Sequence, residues 1–512
     1  MPGVITRGRS TQARAEDRPV AVVDVGSNSV RLVVYEAARR VSTPVFNEKV
    51  LCGLGRGLDS TGRLHPAGVE MALQALQRFA VLTHSMGVDD VTVIATAAVR
   101  EAEDGPDFIA AVRRQCGLEI RPIPGEEEAR LSALGVLSAV PGADGLVGDL
   151  GGASFEVVRL KDGVFCEQTT LPIGPLRLGK REAADGAGMR NTIDTHLAQT
   201  GWLESAQGGT FYAVGGAWRA LARVHMNMTS YPLLVAHHYE LSAREALSFA
   251  KSVLKAKTGK LDRYYDGVSK KRIGTLPFAA QLLASLIEKS DVSKVVISAY
   301  GLREGCIFDR LPAATKAQDP LIEACRNLAW MTGRATADGE ALFHWMTPAF
   351  PNETARQQQL RRAACLLADL EWSEHPDYRV EHALLRILRY PMVGVDHPGR
   401  AYMGLAVASR HAQVKGRVYN RFLSPLLDDE EAKRARVTGL AMRLGYTLSG
   451  GVVSLLEQTL IRREGDQLVF ELPESADVLV GDVVQRRFKS LAKLMGCKPR
   501  FSFIQPPRKV TA

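Results

Sequence analysis

Two stretches of the chain, 125 positions apart, follow one pattern. Val22–Val34 reads VVDVGSNSVRLVV and Val147–Arg159 reads VGDLGGASFEVVR. Asp24 falls on Asp149, Gly26 on Gly151, Ser29 on Ser154 and Val33 on Val158. Each copy is an apolar, β-branched segment, an Asp-x-Gly-x-x-Ser turn and a second apolar segment, which predicts two strands joined tightly. A repeat at this spacing predicts two related α/β lobes, each opening with a phosphate-sized turn. The intervening residues agree. Pro66 opens a helix with apolar residues at Val69, Leu73, Leu76 and Phe79, and a strand follows at Val91–Ala95. A helix near Pro106–Cys116, a strand at Leu118–Ile123 and a helix from Gly125 continue the α/β alternation. FYAVGGAWRALA (Phe211–Ala222) and VVISAYGLREG (Val295–Gly305) each read as strand, glycine turn, helix, a layout that aims backbone N–H groups at an anion.

After Arg310 the pattern changes. Pro312 and Pro320 bracket a linker, and about Leu321–Ser449 reads as mostly helical. Gln458–Leu472 carries a Gly465-Asp466 hairpin signal, and a basic helix is predicted at about Gly481–Met495. The charge balance, 65 basic against 56 acidic residues, permits a polyanionic partner without demanding one. The seven cysteines are odd in number and no two lie within three residues, which argues against a disulfide framework or zinc knuckle and for a reducing cytoplasm. No apolar run reaches membrane-spanning length, and the first 18 residues lack the apolar core of a secretory signal. Aromatic residues are 6%, without the interleaved aromatic and basic pattern of a single-strand nucleic-acid platform, so no nucleic acid is expected.

The chemistry-bearing residues cluster at the turns. Gly26, Gly151 and Gly152 let backbone approach a ligand, and consecutive N–H groups there form an anion nest. Ser27, Asn28, Ser29 and Ser154 add side-chain donors, and Gly215-Gly216 is a third turn of this kind. Asp24 and Asp149 end their strands. Carboxylates repel phosphate, so they make sense as ligands of a magnesium ion bridging to phosphate oxygens. Glu156 stands where the first copy has Arg31, and reads as another metal ligand or a second base. Arg100 could place a guanidinium on phosphate. Glu126, Glu127 and Glu128 start a helix, where the macrodipole stabilises each acid by roughly 0.3–1 kcal/mol. Glu127 and Glu128 both lie near the buried side marked by Leu131 and Leu134, so periodicity leaves either as the general base for an attacking water.

These residues together resemble the exopolyphosphatase and guanosine-pentaphosphate phosphohydrolase family, within the actin, sugar-kinase and chaperone ATPase superfamily. The resemblance rests on VDVGSNSVRL, LGRGLDSTGRL, ATAAVREA, PGEEEARL, GDLGGASFE, LPIGPLRL, AVGGAWRALA and SAYGLREG, in order over Val20–Arg310. The later residues resemble the longer members, with a helical HD-phosphohydrolase-like domain; no His-Asp dipeptide is present. The resemblance implies an actin-like fold with its site between two lobes, and hydrolysis of the terminal phosphate of polyphosphate by activated water. It implies that Glu128 is the catalytic glutamate. The family's DIGGGSTE stands here as DLGGASFE, with Ala153 in place of a glycine and Phe155 in place of a threonine.

The expected organisation is α/β: a disordered tail (1–18), actin-like (ribonuclease-H-like) lobes at 19–131 and 132–311, a helical HD-like domain at 312–447 and a small α+β domain at 448–512. The expected function is an exopolyphosphatase, with pppGpp 5′-phosphohydrolase or a kinase/ATPase of the same fold as alternatives. Glu128 is the expected catalytic residue. Gly26, Ser27, Asn28, Ser29, Arg100, Gly151, Gly152, Ala153, Ser154, Gly215 and Gly216 are expected to hold phosphate. Asp24, Asp149 and Glu156 are expected to hold Mg2+ or Mn2+. The expected partners are inorganic polyphosphate, with (p)ppGpp as an alternative, and a second copy of the chain. Arg486, Arg487, Lys489 and Lys493 could grip the remainder of a long chain, or form an ordinary solvated helix face.

Overall fold

The computed structural model describes residues 18–177, 186–256, 259–332 and 337–504. Residues 1–17 of the expected tail, and Leu178 at the end of the LPIGPLRL stretch, lie outside the described residues. The chain divides into two compact units, Met1–Gln318 and Asp319–Ala512.

In the first unit the repeat becomes two sheets of matching topology. The first contains β1 (Val20–Val25), β2 (Val30–Tyr35), β3 (Pro44–Val50), β4 (Asp90–Ala95) and β5 (Ile120–Pro122), ordered β3-β2-β1-β4-β5. The strands β1, β2 and β3 form an antiparallel meander, while β4 and β5 run parallel to β1. The second contains β6 (Gly145–Leu150), β7 (Phe155–Lys161), β8 (Val164–Leu171), β9 (Thr210–Val214), β10 (Tyr239–Ser242) and β11 (Lys294–Ser298), ordered β10-β11-β9-β6-β7-β8. It repeats the meander and the parallel pairs, and adds β10 antiparallel at one edge. The alternation of Val, Ile and Leu on β1, β2 and β4 buries both faces of the first sheet. Ala21, Val23, Leu32 and Val34 face one core with Leu76 and Phe79. Val20, Val22, Val33 and Ile94 face another with Leu131, Cys306 and Ile307.

That second core fixes how the chain closes. The helices α1 (Gly125–Ala139), α2 (Gly216–Met228) and α3 (Leu302–Arg310) follow β5, β9 and β11. Crossing α1 and α3 depends on glycine: a Cβ on Gly305 would lie 1.8 Å from the Leu131 carbonyl, and one on Gly135 would lie 2.1 Å from that of Gly301. Larger residues at either position would push the helices apart and open the core beneath the turns.

The second unit is largely helical, as its composition predicts. It includes α4 (His397–His411), α5 (Asp429–Ser449) and α6 (Asp482–Met495), with a sheet ordered β12 (Leu460–Glu464), β13 (Gln467–Pro473), β14 (Lys498–Ile504). Gly465-Asp466 makes the expected hairpin. The expected β–β–α ending gains β14, which returns beyond α6 to pair parallel with β13. Its KPRFSFI sequence begins with a charge and a proline, so it does not announce itself as a strand although Gly496 precedes it. Phe470, Phe488 and Phe501 pack together beneath it.

Candidate active site

Both repeat turns close in the same way: the Gly26 N–H donates to the Ser29 carbonyl at 3.0 Å, and the Gly151 N–H donates to that of Ser154 at 3.0 Å. Each turn is then gripped by the segment after its meander. The N–H groups of Gly53 and Gly55 donate to the Asn28 and Ser27 carbonyls (3.1 and 2.9 Å), and the Leu176 N–H donates to the Gly152 carbonyl (2.9 Å). This contact explains a glycine in LPIGPLRL, because a Cβ on Gly174 would stand 2.5 Å from the Gly152 carbonyl oxygen. The turns, together with Gly215 and Gly216, line one cavity of about 190 Å3. Gly215 sits at φ 118°, a conformation that favours glycine, and leaves the start of α2 open to the cavity.

Three carboxylates line the cavity, and a fourth, Glu156, which does not line it, is close enough to feel Glu128 and Asp149. Asp24 and Asp149 end β1 and β6 and line the cavity, as does Glu128 on the first turn of α1. Glu128 is only 7% exposed, while Glu126 is exposed and Glu127 pairs with Arg130 at 2.8 Å. Of the two that periodicity left open, Glu128 is the one that is buried and lines the cavity. Burial pushes the Glu128 carboxyl up to about 8, against the pull of Arg100 and with the added push of Asp149 and Asp24. Asp24 and Asp149 are likewise raised by burial; Arg303 works against the first, and the Ser132 hydroxyl, 2.6 Å from Asp149 Oδ2, against the second. Glu156 is 2% exposed and lies opposite Asp149 across β6 and β7. Burial and the charges of Glu128 and Asp149 raise it well above the ordinary range, and its Oε1 is buried without a hydrogen-bond partner.

The same cavity also carries cations, interleaved with the acids: Arg303 Nη1 lies 3.5 Å from Asp24 Oδ2. Arg31, Lys49, Arg219, Arg272 and Arg303 all line it. Burial, then Arg272 and Arg31, lower the Lys49 ammonium to about 8; burial, then Arg303 and Arg272, lower Arg219 to about 10. Cations packed closely enough to weaken one another form a site that a multiply charged anion relieves. Gly216 helps admit them, since a Cβ there would overlap the Arg272 guanidinium at 2.0 Å.

Of the residues singled out from sequence, Asp24, Gly26, Ser27, Asn28, Ser29, Glu128, Asp149, Gly151, Gly152, Ser154, Gly215 and Gly216 line this one cavity. Ala153 is buried and does not line it; its carbonyl accepts from Arg177 Nε at 2.6 Å. Arg100 also stands back from the lining. Its guanidinium reaches Glu128 Oε2 at 3.4 Å, the Ile123 carbonyl at 2.9 Å and Glu101 at 3.3 Å. Among the described residues no three His, Cys, Asp or Glu side chains gather into a ready-made metal cage, so Asp24, Asp149 and Glu156 do not form one by themselves. The donor set still fits a hard divalent cation held by one or two carboxylates, with water and phosphate oxygens completing its shell. The unpartnered Glu156 Oε1 and the mutual repulsion of four close-set acids are what such a charge would relieve.

Sequence reasoning missed the basic residues of the cavity. Arg219 and Arg303 sit inside AVGGAWRALA and SAYGLREG, one turn or less into the helices those motifs start, and that position was a usable signal. Lys49 and Arg272 sit in no motif. Lys49 becomes visible only through strand register, opposite Arg31, which itself lies opposite Asp24.

Residues 32–314 match the Ppx/GppA phosphatase family, and residues 321–503 match the exopolyphosphatase C-terminal family. The chain is similar to exopolyphosphatase 1 of Mycobacterium tuberculosis, strain H37Rv, at 28% identity over 306 residues, which covers 57% of this chain and 88% of that protein. It is 27% identical to exopolyphosphatase 1 of Mycobacterium leprae over 306 residues, covering 57% and 89%. A solved exopolyphosphatase from Cytophaga hutchinsonii shares the fold, with a TM-score of 0.51 and 22% identity over 58% of this chain and 99% of that one.

Proposed function

The chain belongs to the Ppx/GppA phosphatase family, and from that premise we propose that it is an exopolyphosphatase that removes the terminal phosphate of linear polyphosphate. It is a phosphoanhydride hydrolase with actin-like lobes. The observation that carries the substrate reading is one cavity that holds Glu128, Asp24 and Asp149 together with five cationic side chains and two glycine-rich turns.

In this reading the turns at Gly26–Ser29 and Gly151–Ser154 present N–H and hydroxyl donors to the terminal phosphoryl group. Arg31, Lys49, Arg219, Arg272 and Arg303 hold the next phosphoryl units and neutralise the charge that grows on the leaving chain. Glu128 takes a proton from water as the water oxygen bonds to the terminal phosphorus. The bridging P–O bond breaks, and its electron pair leaves on the shortened polyphosphate. Arg100 holds the Glu128 carboxylate in place and opposes its protonation. The family generally uses divalent metal ions. Magnesium, or manganese in its place, suits an all-oxygen donor set; Asp24, Asp149 and Glu156 are the residues to hold it, and the bound ion supplies charge neutralisation at phosphate.

No described helix is long and apolar enough to cross a membrane, and the seven cysteines are free, which supports the cytoplasm as the compartment. A homodimer is the expected assembly, to be checked by light scattering. The functional reading is tested by orthophosphate release from long polyphosphate, tripolyphosphate and pppGpp side by side, with ADP formation from ATP counted with and without polyphosphate. Faster turnover of polyphosphate supports it. Preference for pppGpp, or ADP formation that depends on polyphosphate, would replace it with the nucleotide or kinase alternative.

A further inference from the structure

The second unit contains an unassigned basic hollow. A cavity of about 230 Å3 is lined by Arg410, His411, Arg443, Tyr446, Thr447 and Arg487, brought together by α4, α5 and α6. Arg410 lies over the Tyr446 ring, 3.9 Å from its centroid, and forms an ion pair with Asp369. Among the described residues neither Arg443 nor Arg487 has a carboxylate within ion-pairing distance. The closest tie between them is a 3.4 Å contact from Arg487 Nη1 to the Arg443 carbonyl. Two guanidinium groups therefore face one cavity without counter-charge. Positive charge is crowded throughout the hollow: burial, then Arg443 and Arg486, lower Arg487, and burial, then Arg410 and Arg379, lower His411 to about 4.

Helix packing alone does not account for this arrangement. Two half-buried arginines on adjacent helices cost stability unless something neutralises them, and planar guanidinium forks match tetrahedral oxyanions. The uncompensated charge of two equals that of a phosphate dianion. We propose that this hollow is an oxyanion site for one phosphoryl group, held by Arg443 and Arg487 and bordered by Arg410 and His411. It is separate from the carboxylate-lined cavity of the first unit, and it does not depend on the activity proposed for that cavity. The phosphoryl group could be free orthophosphate, the product of hydrolysis, or a unit of a polyphosphate chain.

The test uses the full-length chain, with Arg443 and Arg487 intact, and reads each arginine separately. Phenylglyoxal modification of Arg443 and Arg487 is followed by peptide mass spectrometry, with sulfate-free buffer, with orthophosphate, and with long polyphosphate. A ligand at ten times its Kd should slow both modifications by about tenfold. Protection by orthophosphate alone identifies free phosphate as the occupant. Protection only by the long chain, measured in Glu128→Gln so that the chain persists, identifies chain phosphoryl units. A second readout is binding stoichiometry by equilibrium dialysis: Arg443→Gln with Arg487→Gln should remove one class of phosphate site, while tripolyphosphate turnover stays at the parental rate. Unchanged modification rates with both ligands would overturn the proposal, as would identical stoichiometry in parent and variant. Should the double variant fail to fold, the modification rates on the parental chain decide alone.

Discussion

The two repeat hairpins share a backbone and differ in charge. Across β1, β2 and β3 the paired residues are Asp24, Arg31 and Lys49. Across β6, β7 and β8 the matching row is Asp149, Glu156 and Thr170. The first row is an acid followed by two cations, a mixed arrangement that sheets favour. The second sets one carboxylate directly against another, which destabilises a sheet, and leaves Glu156 Oε1 and Thr170 Oγ1 buried without partners. A duplicated scaffold has thus been given two tasks. In the proposed mechanism the first hairpin holds an anion, while the second, which concentrates negative charge next to Glu128, takes up a cation before a phosphate approaches.

That contrast can be attacked at several points. The largest effect expected is from metal removal. With excess EDTA, orthophosphate release should fall to background and return on adding Mg2+ or Mn2+, because the second hairpin alone repels the substrate. Full activity in EDTA would leave the acidic row without a function.

Next comes a pair of substitutions at equivalent positions. Glu156→Gln should mainly lower kcat, by more than about tenfold, since preorganised electrostatics act in the transition state. Arg31→Gln should mainly raise KM: a charge-assisted hydrogen bond is worth roughly 1.5–3 kcal/mol, or about 10–100-fold. If steady-state kinetics show both variants losing kcat and KM in the same proportion, the hairpins do not divide the work.

The pH profile sharpens the contrast further. In the proposed mechanism Glu128 loses its proton to act, and burial holds it near 8; Lys49 keeps its proton to hold phosphate, and burial beside Arg272 and Arg31 brings it down to about 8. The kcat/KM profile should therefore be a narrow bell, rising and falling on either side of about pH 8. Lys49→Arg should push the alkaline limb upward, and saturating metal should move the acidic limb down. A profile flat between pH 6 and 9 would remove both assignments.

The smallest effect is on stability. In the folded chain Glu128 keeps its proton up to about pH 8, whereas its ordinary value is 4.5. The unfolded chain then binds fewer protons across that window, so stability falls as pH rises from about 4.5 to 8. Thermal unfolding of the metal-free chain should show this decline. Glu128→Gln should make it shallower, leaving the part due to Asp24, Asp149 and Glu156, and a divalent cation should flatten it in the parent. A melting temperature that climbs over that range would contradict the buried-acid picture.

Much of this was legible in the sequence, for identifiable reasons. The doubled Asp-x-Gly-x-x-Ser pattern is local, and local turn chemistry set the strand–turn–strand geometry at Gly26 and Gly151. By periodicity alone Glu128 was one of two candidates, because a helix start explains acids without any cavity; the family resemblance selected it, and its side chain is the buried one of the two. The basic residues of the cavity were harder. Lys49 reaches the cavity through pairing across three strands, and Arg272 through a segment far along the chain, so neither carries a local mark. The Arg443 and Arg487 hollow depends on three helices meeting, a property of packing rather than of any one helix's pattern. Strand β14 was missed because its parallel partner is reached only through α6.

The central claim is that Glu128 activates the attacking water inside a cavity whose other residues hold the chain. It is tested most directly by measuring, for Glu128→Gln, both the binding of long polyphosphate and the release of orthophosphate. The account predicts that release falls by roughly 10²–10⁴-fold while the dissociation constant stays within a few-fold of the parent. Near-parental release would contradict it and pass the role of base to Glu156, and loss of binding in step with activity would make Glu128 a structural rather than a catalytic acid.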